Sequence, residues 1–151
     1  MCTTALAAGL PAAQPKLLPP EQAFRFSARA LDAATLEARF DIADGYYLYR
    51  DKLHFAVDRI GGLSVVLPPG QRKHDEFFGD VETYRGALVL RLPLPTPAAR
   101  GTLTLHADSQ GCADAGVCYP PNPQQVELAV PATGAPPGTY VNASRKKTWF
   151  K

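Results

Sequence analysis

The sequence predicts an all-β protein, an immunoglobulin-like antiparallel β-sandwich, on three observations. Apolar and polar residues alternate with a period of two in segment after segment. Gly-, Pro- and Asp-rich turns divide the segments. No stripe of apolar residues at helical spacing runs for ten residues or more. Successive side chains of a strand project to opposite faces of its sheet, so the alternation marks half-buried strands. Several short strands separated by turns favour a sandwich, with a closed barrel as the alternative.

"LLPP" at Leu17 to Pro20 is an extended entry, because proline disfavours helix at and just before its own position. Phe24, Phe26 and Ala28 then alternate with Arg25, Ser27 and Arg29, and Leu36, Ala38, Phe40 and Ile42 with Glu37, Arg39 and Asp41. The pattern returns in Leu53, Phe55 and Val57, in Leu63, Val65 and Leu67, and in Leu88, Leu90 and Leu92. Leu103, Leu105 and Ala107, then Val126, Leu128 and Val130, complete about seven strands. Turns are marked by Asp44-Gly45, Gly61-Gly62, Pro68 to Gly70 and Arg100-Gly101. "PATGAPPGTY" after Val130 has the composition of a linker.

These signals divide the chain into an arm at 1–16, a domain at 17–131 and a linker or tail at 132–151. The arm, which begins "MCTTALAAGLPAAQ", reads as a signal-peptide remnant or a disordered arm: it has A-x-A at Ala5 to Ala7 but no positive start. Cleavage there removes Cys2 and leaves two cysteines, as suits an exported protein.

With 151 residues, 46% apolar and 20% charged, the composition is that of a globular protein large enough to fold without disulfides. A net charge of +2 gives no footprint for nucleic acid, and the cluster Arg145, Lys146, Lys147 reads as a solvated tail. No apolar run reaches the roughly 18 residues of a membrane span.

Chemistry concentrates in "QGCADAGVCYPP", where five residues separate Cys112 from Cys118. Ala113 to Val117 makes a tight connection near the place where adjacent strands meet, with Gly116 at a positive φ. Directly opposed residues lie about 4.5 Å apart at Cα, so the sulfurs can bond. As a staple the ring is weak, worth roughly 2.4 kcal/mol on chain entropy against about 4.7 for a hundred-residue loop. A dithiol switch, by contrast, needs the second thiol close enough to resolve a mixed disulfide. Spacing alone leaves both roles open. Zinc held by this pair with His54, His74 or His106 is a weaker third reading, since there is no second cysteine pair. No Lys, Arg or His lies inside the loop to depress a thiol pKa, and Asp114 opposes it.

"GCADAGVCYPP" at Gly111 to Pro121, "DGYYLYR" at Asp44 to Arg50 and "DEFFG" at Asp75 to Gly79 together resemble the N-terminal periplasmic domain of the DsbD thiol:disulfide interchange family across residues 17–131. The resemblance implies a periplasmic oxidoreductase domain, a protein-disulfide reductase serving electron transport and cytochrome c-type biogenesis. It would receive electrons from a membrane-embedded domain of the same family and reduce thioredoxin-like partners, such as disulfide isomerases and cytochrome c maturation thioredoxins. It would need no metal or organic cofactor. Cys112 and Cys118 would form the redox pair, Cys118 joining the partner and Cys112 resolving. Phe77 would tip a cap loop with Asp75 and Glu76 beside it, and Tyr47 and Tyr49 would pack near the sulfurs. The competing expectation is a non-enzymatic immunoglobulin-like binding module with a passive hairpin disulfide. The family's membrane helices and thioredoxin-like domain do not occur here, so the chain reads as a fragment, an excised domain or a stand-alone form. The tail "TYVNASRKKTWFK" matches nothing in the family pattern, and Phe78 stands where the family often has Tyr.

Overall fold

The structure, a computed structural model, describes residues 16–145. Nearly all of the predicted arm, including Cys2, and Lys146 and Lys147 of the basic cluster lie outside the described residues. One helical turn, α1 (Pro20–Ala23), opens at Pro20, where a missing amide hydrogen costs nothing. The strands are β1 (Phe24–Ala30), β2 (Thr35–Ile42), β3 (Tyr46–Tyr49), β4 (His54–Val57), β5 (Gly61–Gly62), β6 (Gln71–Asp75) and β7 (Gly79–Tyr84). After them come β8 (Ala87–Pro93), β9 (Thr102–Ser109), β10 (Gly111–Ala113), β11 (Asn122–Ala129), β12 (Val141–Asn142) and β13 (Ser144–Arg145).

Two large antiparallel sheets form the sandwich. One runs β12-β1-β2-β8, the other β13-β11-β9-β4-β5. Their inward positions are those that the alternation selects. Phe26 and Phe40 pack with ring centroids 4.8 Å apart, and each meets Phe55 of the opposite sheet at 6.4 Å. Leu36, Ala38, Leu90, Leu92, Leu105, Val126 and Leu128 fill the space around them. The immunoglobulin-like sandwich is thus the observed fold.

A third sheet, β10-β3-β7-β6, stands at one end. The period-two pattern does not announce it, because β3 is buried on both faces and reads YYLY, while β6 reads QRKHD and is mostly exposed. Conversely, the strand expected at Leu63 to Leu67 is absent. Residues 63–70 form no ladder, although Leu63, Val65 and Leu67 pack against the core on one side. Alternation reports which side of an extended chain is buried, not whether a neighbouring strand exists.

The segment 132–142 returns to the sandwich. Val141 and Asn142 pair with Ala28 and Ser27, and Tyr140 donates a hydrogen bond to Glu37 beneath the Arg29 guanidinium. Among the described residues, no helix is long and apolar enough to cross a membrane.

Candidate functional site

Strand β3 is the wall on which the site is built. Alternation along it sends Tyr46 and Leu48 into the main core and Tyr47 and Tyr49 into a second, smaller cluster with Cys112. On one flank β3 pairs with β10, which sets Cys112 opposite Tyr47. On the other it pairs with β7, and β7 with β6, which delivers Asp75.

Strand β9 ends at Ser109, and the chain then leaves its ladder with β11 to join β3. Cys112 therefore belongs to the small sheet and not to the β9–β11 hairpin. Gly111 permits the crossing, since a Cβ there would lie 2.2 Å from the Tyr47 carbonyl oxygen and 2.8 Å from the Phe24 ring. The loop turns through Gly116 at φ +96°, and Cys118 comes to lie opposite Cys112 in an isolated antiparallel bridge. A disulfide joins them, with Cα atoms 4.0 Å apart. The two sulfurs are not equivalent: Cys112 is 1% exposed, and Cys118 is only half-buried.

Behind the disulfide runs a chain of hydrogen bonds. Tyr49 donates to Asp75 Oδ2 at 2.6 Å, and its hydroxyl oxygen lies 2.9 Å from Cys112 Sγ and 3.8 Å from Cys118 Sγ. Tyr47 donates to the same carboxylate oxygen at 3.1 Å. The other oxygen, Oδ1, accepts from the backbone amides of Phe77 and Phe78 at 2.7 and 3.1 Å. Asp75 is 3% exposed. Burial opposes its charge, yet the donors from Tyr49, Phe77, Phe78 and Tyr47 outweigh that and hold the carboxyl below the ordinary carboxylate range. Burial first, and then the neighbouring Asp75, pushes the Tyr49 hydroxyl up, so it stays protonated. Burial raises Tyr47 likewise.

Asp75 also shapes the loop at 76–78, which its carboxylate closes into a turn. The two phenylalanines take different places. The Phe78 ring packs edge-on against Tyr49 at 5.0 Å, with the Lys52 ammonium 4.9 Å from its centroid. Phe77 is 62% exposed and makes no ring contact among the described residues. Glu76 is exposed beside it.

Sequence reasoning passes over Arg85 and Lys73. Both place a cation over Tyr47, at 5.2 and 4.5 Å from the ring centroid. Arg85 also grips Asp114 through two hydrogen bonds of 3.0 and 2.7 Å, and these hold the Asp114 carboxyl below its ordinary range. The cysteine loop thus has a cation beside it after all, supplied from a distant turn. Neither residue lies in a pattern that a single sequence would flag. Among the described residues, no group of three or more His, Cys, Asp or Glu is placed to hold a metal ion. His74 and His106 each face an aspartate, Asp80 and Asp58.

A sequence model of the family described as "Thiol:disulfide interchange protein DsbD, N-terminal" matches residues 14–130. The thiol:disulfide interchange protein DsbD of Ralstonia nicotianae is 49% identical over 132 residues, 84% of this chain and 21% of that protein. The DsbD of Escherichia coli is 39% identical over 140 residues, 91% of this chain and 24% of that protein. The chain therefore spans about a fifth to a quarter of these relatives. Among solved structures, the reduced DsbD N-terminal domain of Neisseria meningitidis superposes with a TM-score of 0.72 at 31% identity, covering 85% of this chain and 96% of that one. The same Neisseria domain in complex with the PilB N-terminal domain gives 0.60 at 35% identity, covering 74% and 86%. With its sandwich, its small disulfide-bearing sheet and these relatives, the chain belongs to the family of DsbD N-terminal domains.

Proposed function

We propose that this chain is a thiol:disulfide interchange domain whose Cys112–Cys118 bond opens and closes in a relay, residues 17–131 being the redox unit and the stretch beyond, which has a linker's composition, coming back to edge both large sheets at β12 and β13. Electrons arrive from a membrane-embedded domain of the family and leave to thioredoxin-like proteins in the periplasm, among them disulfide isomerases and cytochrome c maturation proteins. The family membership supports interchange, and the Neisseria complex with PilB supports a protein partner. One observation carries the assignment of roles, the unequal burial of the two sulfurs.

Cys118, half-buried at the rim, is the sulfur that a partner reaches. In the reducing direction its thiolate attacks a partner disulfide, forming a mixed disulfide and releasing one partner thiolate, which takes up a proton. Cys112 then attacks Cys118 Sγ, closing the ring and releasing the second partner thiol. Two electrons and two protons pass to the partner. The Cys112 thiol must lose its proton as it attacks, and the Tyr49 oxygen 2.9 Å away, backed by the Asp75 carboxylate, is placed to hand it on. The loop at 75–78 covers this hydrogen-bonded group, with Phe78 on Tyr49 and Phe77 free to meet whatever approaches. Such a cover restricts exchange to partners that displace it. The chemistry calls for no metal or organic cofactor.

The deciding measurement is the reduction potential of the pair in the folded chain with Cys2→Ser, by equilibration against thiol buffers and alkylation. A value between about −200 and −270 mV is expected of an exchange protein, while one below about −300 mV marks a structural clip and ends the enzymatic reading.

A further inference from the structure

We infer that Arg85 is a positioning residue that, through Asp114, holds the cysteine ring in its bonding geometry when the bond between the sulfurs is absent. The inference rests on the interchange reading, since only an opening disulfide has use for such a device.

Three restraints shape the ring. The first is the disulfide itself. The second is a set of local backbone hydrogen bonds, from Ala113 N to the Val117 carbonyl at 2.7 Å, Gly116 N to Ala113 at 3.0 Å and Tyr119 N to Gly111 at 3.0 Å. The third ties the loop to the rest of the domain and does not depend on the sulfurs. Asp114 N donates to the Gly45 carbonyl at 2.8 Å, and the Asp114 carboxylate is held by both terminal nitrogens of Arg85.

The guanidinium is itself located. It donates to the Tyr46 carbonyl at 3.3 Å, lies over the Tyr47 ring and springs from the turn between β7 and β8. One planar group therefore joins that turn, β3 and the tip of the cysteine loop. Only a fork of this kind makes two parallel bonds to a carboxylate; a lysine supplies a single point of charge. Both side chains are substantially exposed, 41% and 47%, so the pair adds little to global stability. Its value lies in location. Residues 114–117 are all exposed, and Cys118 meets Cys112 in an isolated bridge outside the named strands. Once the bond opens, the β10–β3 ladder, the local bonds, the Asp114 amide on Gly45 and the Arg85 grip keep the two thiols facing each other. Loosening the grip lowers the effective concentration of one thiol at the other. The ring then closes less readily, and the potential becomes less negative.

The test equilibrates the whole chain, Cys2→Ser, with glutathione, in which the disulfide plus two GSH gives the dithiol plus GSSG. Arg85→Gln and Asp114→Asn are each expected to lower the equilibrium constant for ring closure about threefold, a shift of about +14 mV. The two must move in the same direction, because each loosens the loop. Were the pair acting only through its charge on the thiols, removing a cation and removing an anion would shift the potential in opposite directions, and the inference would fail. It fails equally if both variants melt earlier with an unmoved potential, as a merely structural contact would. Arg85→Lys should fall between the native chain and Arg85→Gln, and the double variant should shift no further than either single one. These shifts are read against the unsubstituted chain, whose absolute potential separately decides the interchange reading.

Discussion

On one side of β3, Tyr46 and Leu48 enter a core of Phe, Leu, Val and Ala; on the other, one residue along in each case, Tyr47 and Tyr49 enter a cluster built around a carboxylate and a disulfide. The first side is held by apolar burial, which has no direction and is shared among many residues. The second depends on a few directed hydrogen bonds converging on Asp75, each group supplying what another lacks. The contrast teaches that a single strand can serve stability with one face and chemistry with the other, and that the two faces should fail differently.

The largest effect is expected in the core. Phe40→Ala, which removes a fully buried ring against Phe26 and Phe55, should cost about 3–5 kcal/mol in urea unfolding and leave the potential of the disulfide unchanged. A shift in potential comparable to that of a site variant would erase the distinction between the two faces.

Asp75→Asn comes next. It offers one acceptor where four donors now converge, and should cost about 1–3 kcal/mol. Its pH signature sharpens the assignment. Asp75 has a folded pKa below its unfolded value, so its contribution is fully present above about pH 4 and is lost as pH falls through the folded value. Stability measured from about pH 6 down to about pH 2 should therefore fall less in Asp75→Asn than in the native chain; equal slopes would remove the buried carboxylate from the account.

Tyr49→Phe should cost about 1–2 kcal/mol and Tyr47→Phe less, because the Tyr49 hydroxyl makes the shorter bond to Asp75 and also touches Cys112. Thermal melts of the pair decide the ranking.

Smallest in stability is Phe77→Ala. An exposed ring that packs on no other ring among the described residues should change unfolding by less than about 0.5 kcal/mol, while reduction by small thiols becomes faster. An unchanged rate would end the view of Phe77 as part of a gate and leave Phe78, which packs on Tyr49, as the cover.

The sandwich was legible in the residues because burial between two sheets imposes alternation on each strand separately, and β1, β2, β4, β8, β9 and β11 all carry it. The small sheet was not. Strand β3 is covered on both faces and so shows no period, and β6 is too exposed to show an apolar one. The motif resemblance named the cysteines, Asp75, Glu76, Phe77, Tyr47 and Tyr49 as neighbours, yet it was silent on Arg85 and Lys73, which come from segments without a recognisable pattern.

By itself, then, the chain determined its class, its inward faces and the closeness of Cys112 to Cys118, because alternation and a five-residue spacing act locally. Only the tertiary structure decided that Cys112 is buried and Cys118 half-buried, that one carboxylate gathers two tyrosines and a loop, and that Arg85 meets Asp114 of the cysteine loop from a distant turn. The ties of Asp75 to the two tyrosines and of Arg85 to Asp114 join residues 26 to 29 positions apart, and pairings of that range are set by how strands stack, which no local pattern encodes.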